Sequence, residues 1–213
     1  VEEERRGASQ VKSRFNAALQ LLSRDVLAGT DAQSNPIFAR TSYEIDEGGR
    51  LKTRTETGSS GSSVATYTYD LAGNLRTVSR TASPTVTFGY DSRDRVTSVT
   101  QGAGVTRYGY DLDSVRTSET TPRNFATNYL VDGFGRNAGA TDPTQVTTRE
   151  ILDRAGRSLE TRVTKPSGTD QVLYRWTVKE YDPAGRVKKE IRKLLDNQIT
   201  LNPDGTIPTA GVT

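Results

Sequence analysis

Between residues 64 and 69 the β-branched Val64, Thr66 and Thr68 alternate with Ala65, Tyr67 and Tyr69, the period of two that a half-buried strand requires. Tyr67 and Tyr69 therefore share one face, and Tyr108 and Tyr110 repeat the arrangement further along. Asp70-Leu-Ala-Gly73 follows the first of these strands. An Asp opening a type I turn accepts backbone N–H groups two or three residues on, and the Gly supplies the left-handed conformation that closes a hairpin with a bulge. Leu75–Arg80 and Val96–Thr100 read as return strands, with Ala82-Ser-Pro84 and Gln101-Gly-Ala-Gly104 as the opposite turns. One unit is one hairpin, and the hairpins follow one another as an antiparallel meander.

The unit recurs. Its turn begins at Asp46, Asp70, Asp91, Asp111, Asp132, Asp153 and Asp182, at spacings of 24, 21, 20, 21, 21 and 29 residues. Gly closes the turn at Gly49, Gly73, Gly135, Gly156 and Gly185, and Arg follows it at Arg50, Arg95, Arg136, Arg157 and Arg186. The aromatic positions are Tyr43, Tyr67, Tyr69, Phe88, Tyr90, Tyr108, Tyr110, Tyr129 and Tyr181. Seven hairpins make fourteen strands, on the order of 65 Å of sheet at about 4.8 Å per strand. A sheet that wide curls, with the aromatic side chains as a ladder on one face.

The pattern Tyr-x-Tyr-Asp-x-x-Gly-Arg-Leu/Val at this period resembles the YD repeat of the Rhs (rearrangement hot spot) family. That family includes bacterial Rhs effectors, the C components of Tc toxins, wall-associated proteins and teneurins. The likeness spans about residues 38–190. It implies a large hollow β-shell, which in toxin members encloses a C-terminal toxic polypeptide and in teneurins serves adhesion. Toxin members often end the shell in an autoproteolytic segment with Asp-Pro-x-x-Gly-like motifs. Here Asp182-Pro-Ala-Gly185 fits, but Asn202-Pro-Asp-Gly205 opens with Asn and its surroundings differ, so no catalytic residue is carried over.

Departures and flanks complete the map. Asp94 stands where the third unit needs Gly, and the fourth, Asp111-Leu-Asp-Ser114-Val115-Arg116, lacks Gly and reads as one residue short. Val131 and Leu152 replace the second Tyr in units five and six. Gly58–Ser63 is a flexible loop by composition, either a native hairpin tip or an engineered linker, and Lys165-Pro-Ser-Gly168 is a second expanded tip. Val11, Phe15, Leu19, Leu22 and Val26 recur at helical spacing before Gly29, predicting an amphipathic helix that caps the first sheet edge or plugs a shell. The expected organisation is a helical segment over 1–35, the β-array over 36–190 and a turn-rich tail over 191–213.

Composition narrows the chemistry. The 213 residues include no Cys, His or Met and one Trp. That excludes His- or Cys-based catalytic triads, zinc fingers, haem ligation and disulfides. A chain that begins at Val1 with no Met reads as a processed piece or a fragment. The net charge of +3 (29 − 26) is mixed along the sequence, unlike the basic stripe of a nucleic-acid binder. No apolar run reaches the roughly 18 residues that span a bilayer.

The repeated Asp are explained as turn formers, since catalysis does not need seven copies. Asp91-x-x-Asp94 and Asp111-x-Asp113 lack the ligand pattern of a Ca²⁺ loop. The Arg row is expected to stack on neighbouring Tyr or to pair with turn carboxylates, against the alternative of an anion- or glycan-binding row. Trp176 is expected in a strand, against stacking on a sugar.

The sequence therefore predicts an all-β, curled antiparallel meander of YD-repeat hairpins, a partial spiral or shell, with one N-terminal amphipathic helix. No enzymatic activity, cofactor, metal site, nucleic acid or membrane span is expected. The expected partners are the remaining repeats of a longer secreted or cell-surface parent and its enclosed C-terminal cargo. The alternative is a carbohydrate-binding or adhesion module that uses the repeat surface to hold a cell-surface glycan.

Overall fold

A computed structural model describes residues 2–6, 9–59, 61–167, 170–202 and 206–207. These residues form seventeen strands and the turns between them, and none is helical. The chain divides into two compact units, Val1–Gly104 and Val105–Thr213.

The first unit contains β1 (Glu2–Arg6), β2 (Ser9–Phe15), β3 (Leu21–Thr30), β4 (Pro36–Ile45), β5 (Leu51–Gly58), β6 (Gly61–Tyr69), β7 (Leu75–Arg80), β8 (Ser83–Tyr90) and β9 (Val96–Gln101). Each pairs antiparallel with the next. The strands of the second are β10 (Gly104–Tyr110), β11 (Arg116–Thr120), β12 (Ala126–Val131), β13 (Asn137–Thr141), β14 (Thr147–Leu152), β15 (Ser158–Ser167), β16 (Asp170–Tyr181) and β17 (Val187–Thr200). They follow the same meander rule.

The expected N-terminal helix is absent. Asn16 opens a turn instead: its Oδ1 accepts from the backbone N–H of Ala18 (3.0 Å) and Gln20 (2.9 Å), and β2 and β3 run antiparallel on either side. Along β3 burial alternates, with Ser23 and Asp25 inside and Leu22 and Val26 outside. A helical spacing of apolar side chains is only a tendency, and pairing to neighbouring strands overrides it. What β3 buries is polar: Arg40 on β4 grips Asp25 with both arms, Nε to Oδ1 at 2.7 Å and Nη2 to Oδ2 at 2.8 Å.

One further reading changes. The fourth unit is not short: Ser114 N–H donates to the Asp111 carbonyl and Asp111 N–H to Val115, the geometry of its neighbours, with Ser114 in the left-handed region at φ 67°. Gly58–Ser63 lies at a hairpin end, as one of its two readings had it, and the strands extend further than expected, Gly58 pairing with Gly61. Within the expected tail β17 runs to Thr200, whereas Pro203–Gly205 lie outside the described residues, as does Gly168 at the second expanded tip.

Among the described residues the buried apolar ones are few: Val78 in the first unit, and Ala138, Val163, Val172 and Leu173 in the second. Leu173 is fully covered, a contribution of about 2–3 kcal/mol. With so small a core, the contacts between successive hairpins matter as much as burial.

Candidate functional site

The repeated turn is best seen at Asp132. Its N–H donates to the Arg136 carbonyl (2.9 Å) and its carbonyl accepts from Gly135 N–H (3.0 Å), which closes a five-residue loop. Oδ1 accepts from the N–H of Phe134 (2.9 Å) and Arg136 (3.0 Å), while Arg136 Nε reaches Oδ2 at 2.8 Å. Gly135 holds the position that needs a left-handed backbone, at φ 74°. Just before the Asp, the pairing register slips by one residue, here between Leu130 and Val131. A type I turn, a left-handed residue and a bulge form one linked device that adds local twist.

The device recurs at every predicted Asp: 46, 70, 91, 111, 132, 153 and 182. The register slips before each, for example between Glu44 and Ile45, Thr68 and Tyr69, and Glu180 and Tyr181. The same five-residue turn also forms outside the repeat's Asp positions, at Asn16, Asp31, Thr121 and Asp142, although the register runs on without a slip before Thr121 and Asp142. There the left-handed position is held by Leu19, Ser34, Asn124 and Gln145. The available signal was the half-period: from Asp111 to Asp153 the turns start at 111, 121, 132, 142 and 153, so both ends of each hairpin use the same loop.

These carboxylates are committed acceptors. Hydrogen bonds from the N–H four residues on hold Asp46, Asp70, Asp153 and Asp182 below the ordinary Asp range, helped by the side chain of that same residue. At Asp132 the Arg136 side chain is the leading cause. For Asp91 desolvation pushes upward, but the N–H of Arg93 and the Arg95 side chain outweigh it. A carboxyl held ionised with its lone pairs engaged is a poor general acid. Among the described residues no cluster of three or more Asp or Glu is placed to hold a metal ion.

The Tyr immediately before the Asp joins hairpins. The hydroxyl of Tyr69 donates to the Leu51 carbonyl at 2.8 Å, Tyr90 to Leu75 at 2.9 Å and Tyr181 to Ser158 at 2.9 Å. Each acceptor is the fifth residue after the preceding turn Asp. Arg reaches the same way, for the Arg50 guanidinium lies 4.5 Å from the Tyr69 ring centre and that of Arg157 4.7 Å from Tyr181. Arg50 and Arg157 thus each bond their own Asp and stack on the next hairpin's Tyr, whereas Arg136 lies over Phe134 of its own turn.

Where Leu152 supplies no hydroxyl, Arg136 Nη1 donates to the Asp153 carbonyl at 2.7 Å. Where Val131 supplies none, Arg116 lies between the rings of Tyr108 (5.7 Å) and Tyr129 (4.8 Å). Tyr43, Tyr67 and Phe88, three residues before their Asp, are half-buried. Tyr110 takes the same place before Asp111 that Tyr69 takes before Asp70. The indole N–H of Trp176 is bound to Glu160 Oε1 at 2.8 Å, and Arg50, Arg95, Arg136, Arg157 and Arg186 are all in ion pairs.

Comparison with known proteins agrees with this geometry. The RHS repeat family matches residues 69–106. No curated protein matches the chain in sequence. Among solved structures the fold is similar to the TcdB2-TccC3-Cdc42 crystal structure, with a TM-score of 0.65 and 15% identity over 92% of this chain and 12% of that one. A Photorhabdus luminescens Tc holotoxin pore with a mutated TccC3 gives a TM-score of 0.66 and 14% identity over 91% of this chain and 11% of that one. TcdB2-TccC3 without its hypervariable C-terminal region gives 0.52 and 14% over 91% and 13%. This chain therefore spans about one eighth of those chains, and at such identity the likeness is one of fold. Residues 69–106 thus match an Rhs-type repeat, and hairpins on either side of them reuse the same turn, bulge and hydroxyl link.

Proposed function

We propose that this chain is a wall segment of a larger Rhs-type β-shell, which encloses a C-terminal polypeptide of its parent protein and delivers it outside the producing cell. The observation that carries this reading is the link between successive hairpins. Within each unit Tyr hydroxyls and Arg side chains tie successive turns together, so the array grows by adding hairpins without a thick core. That suits a thin wall. The role is structural and needs no chemistry from the wall itself, because the turn carboxylates are spent on backbone N–H groups. The remaining repeats of the parent and the enclosed cargo are the partners this function requires, and the parent is secreted or surface-displayed.

The test is limited proteolysis of the full-length parent, with its C-terminal segment followed by mass spectrometry before and after partial unfolding of the repeats. Survival of that segment until the repeats open is expected. Digestion at the same rate in both states would remove encapsulation and leave the wall without cargo.

A further inference from the structure

One face of the second unit gathers charge that the repeated turns do not use. Arg175, Thr177 and Lys179 alternate along β16. β17 sets Arg192 opposite Thr177 and Glu190 opposite Lys179, while β15 sets Val163 opposite Arg175 and Thr161 opposite Thr177. With Lys193 and Thr148 these residues line a groove of about 450 Å³. Its lining contains four cations and one carboxylate, a balance of 4 − 1 = +3. Glu190 is already taken by Arg192 Nε at 2.6 Å. The side chains of Arg175 and Lys179 have no hydrogen-bond or ion-pair partner among the described residues. No two of these cations stand directly opposite each other, but the net positive charge of the groove attracts an anion from outside.

The spacing indicates which anion. Alternate positions on a strand lie about 6.8 Å apart, so Arg175 and Lys179 on β16, with Arg192 on the neighbouring β17 level with Thr177, place cations at three successive levels along the strand direction. An extended polypeptide with acidic residues at alternate positions repeats its carboxylates at the same interval. The Arg fork suits a carboxylate, and Thr161 and Thr177 add hydroxyl donors between the charges. Single-stranded nucleic acid needs aromatic platforms for its bases. No aromatic residue lines the groove, and Trp176, which alternates with Arg175 and Thr177, is bound to Glu160 instead. We infer that this face of β14–β17 binds an extended acidic polypeptide segment, with alternate carboxylates on Arg175, Arg192 and Lys179. The inference goes beyond the wall role and does not depend on encapsulation.

The experiment uses the whole chain and a fluorescent peptide of alternating Glu and Ala, read by anisotropy at low and physiological salt. Saturable binding that weakens with salt is expected. Arg175→Glu with Lys179→Glu should weaken it about tenfold or more, and the neutral pair Arg175→Gln with Lys179→Gln should fall between. The neutral pair keeps the test open should charge reversal impair folding. Arg76→Glu with Arg107→Glu, exposed residues outside the groove, should leave binding unchanged. Absence of saturable binding, or equal affinity in the groove variants, overturns the proposal. Tighter binding of an oligodeoxythymidine of equal charge overturns the choice of occupant.

Discussion

The hydroxyl of Tyr69 donates a 2.8 Å hydrogen bond to the carbonyl of Leu51, eighteen residues earlier and on the far side of a hairpin. This explains why Tyr precedes Asp in the repeat: the Asp shapes the turn, and the Tyr ties it to the turn before. Removing only the hydroxyl, in Tyr69→Phe, leaves the Leu51 carbonyl without that donor and should cost about 1 kcal/mol. Tyr67→Phe, two residues away and with no hydroxyl partner among the described residues, should cost much less. Thermal unfolding of both variants checks this, and equal losses would remove the link from the account.

The left-handed corner of the turn can be tested in both directions. At Gly73, φ is +94° and an added Cβ would meet nothing nearer than Arg50 Nη1 at 3.9 Å. Gly73→Ala therefore isolates backbone strain and should destabilise by about 1 kcal/mol. Gln145 holds the same position at φ 66°, so Gln145→Gly should be neutral or stabilising by up to about 1 kcal/mol. Denaturant midpoints of the pair report the sign.

Gly139 is a different case. Its φ is +132° and a Cβ there would lie 2.0 Å from the Thr148 carbonyl oxygen, a backbone atom that cannot swing aside. Gly139→Ala should cost roughly 3 kcal/mol or more and remove the cooperative unfolding transition of the second unit. A melting curve close to wild type would contradict that.

Acid should weaken the fold in a defined window. Asp46, Asp70, Asp132, Asp153 and Asp182 are all held below the ordinary carboxylate range when folded, and in the unfolded chain they return to about 3.9. As pH falls through that value the unfolded state takes up protons that the folded state resists, which favours unfolding. The stabilisation is thus complete at neutral pH, begins to fade near pH 5 and is lost once the folded carboxyls are protonated. Melting temperatures measured from pH 8 to pH 2.5 should be level at first and then fall. Asp132→Asn should melt lower at pH 7 with a shallower acid slope.

The Asp25–Arg40 pair offers a separate test. Asp25 is buried, while the Arg40 side chain is about half exposed at 51%. Arg40→Met takes both donors from a buried carboxylate and should cost about 1–3 kcal/mol. It should also raise the Asp25 pKa, since the Arg40 hydrogen bonds are the leading cause of its lowering. Carboxyl titration by NMR and chemical denaturation measure the two effects together.

The Tyr-Asp-x-x-Gly-Arg spacing made the hairpins, their turns, the left-handed corners and the antiparallel order legible without coordinates, because turn chemistry and strand alternation are local. Asp94 and Ser114 show how far that locality extends: both adopt the conformation of the Gly they replace, since the loop's own hydrogen bonds enforce it. The Asn16–Gln20 and Thr121–Phe125 turns escaped because they lack the Gly and Arg that mark the unit. The N-terminal segment misled for the opposite reason. Phe15, Leu19, Leu22 and Val26 keep a helical spacing, yet strand pairing buries Ser23 and Asp25 and leaves those four exposed.

Sequence alone determined what depends on residues close along the chain: the repeat, the all-β class and the turn-forming role of each Asp. Only the tertiary structure decided which hairpin each Tyr hydroxyl and Arg would grip, that Asp25 would find Arg40, and that Arg175, Lys179 and Arg192 would share one face. Those outcomes depend on cross-strand register. A shift of one residue there turns every side chain to the opposite face, and no local pattern records which register the assembled sheet adopts.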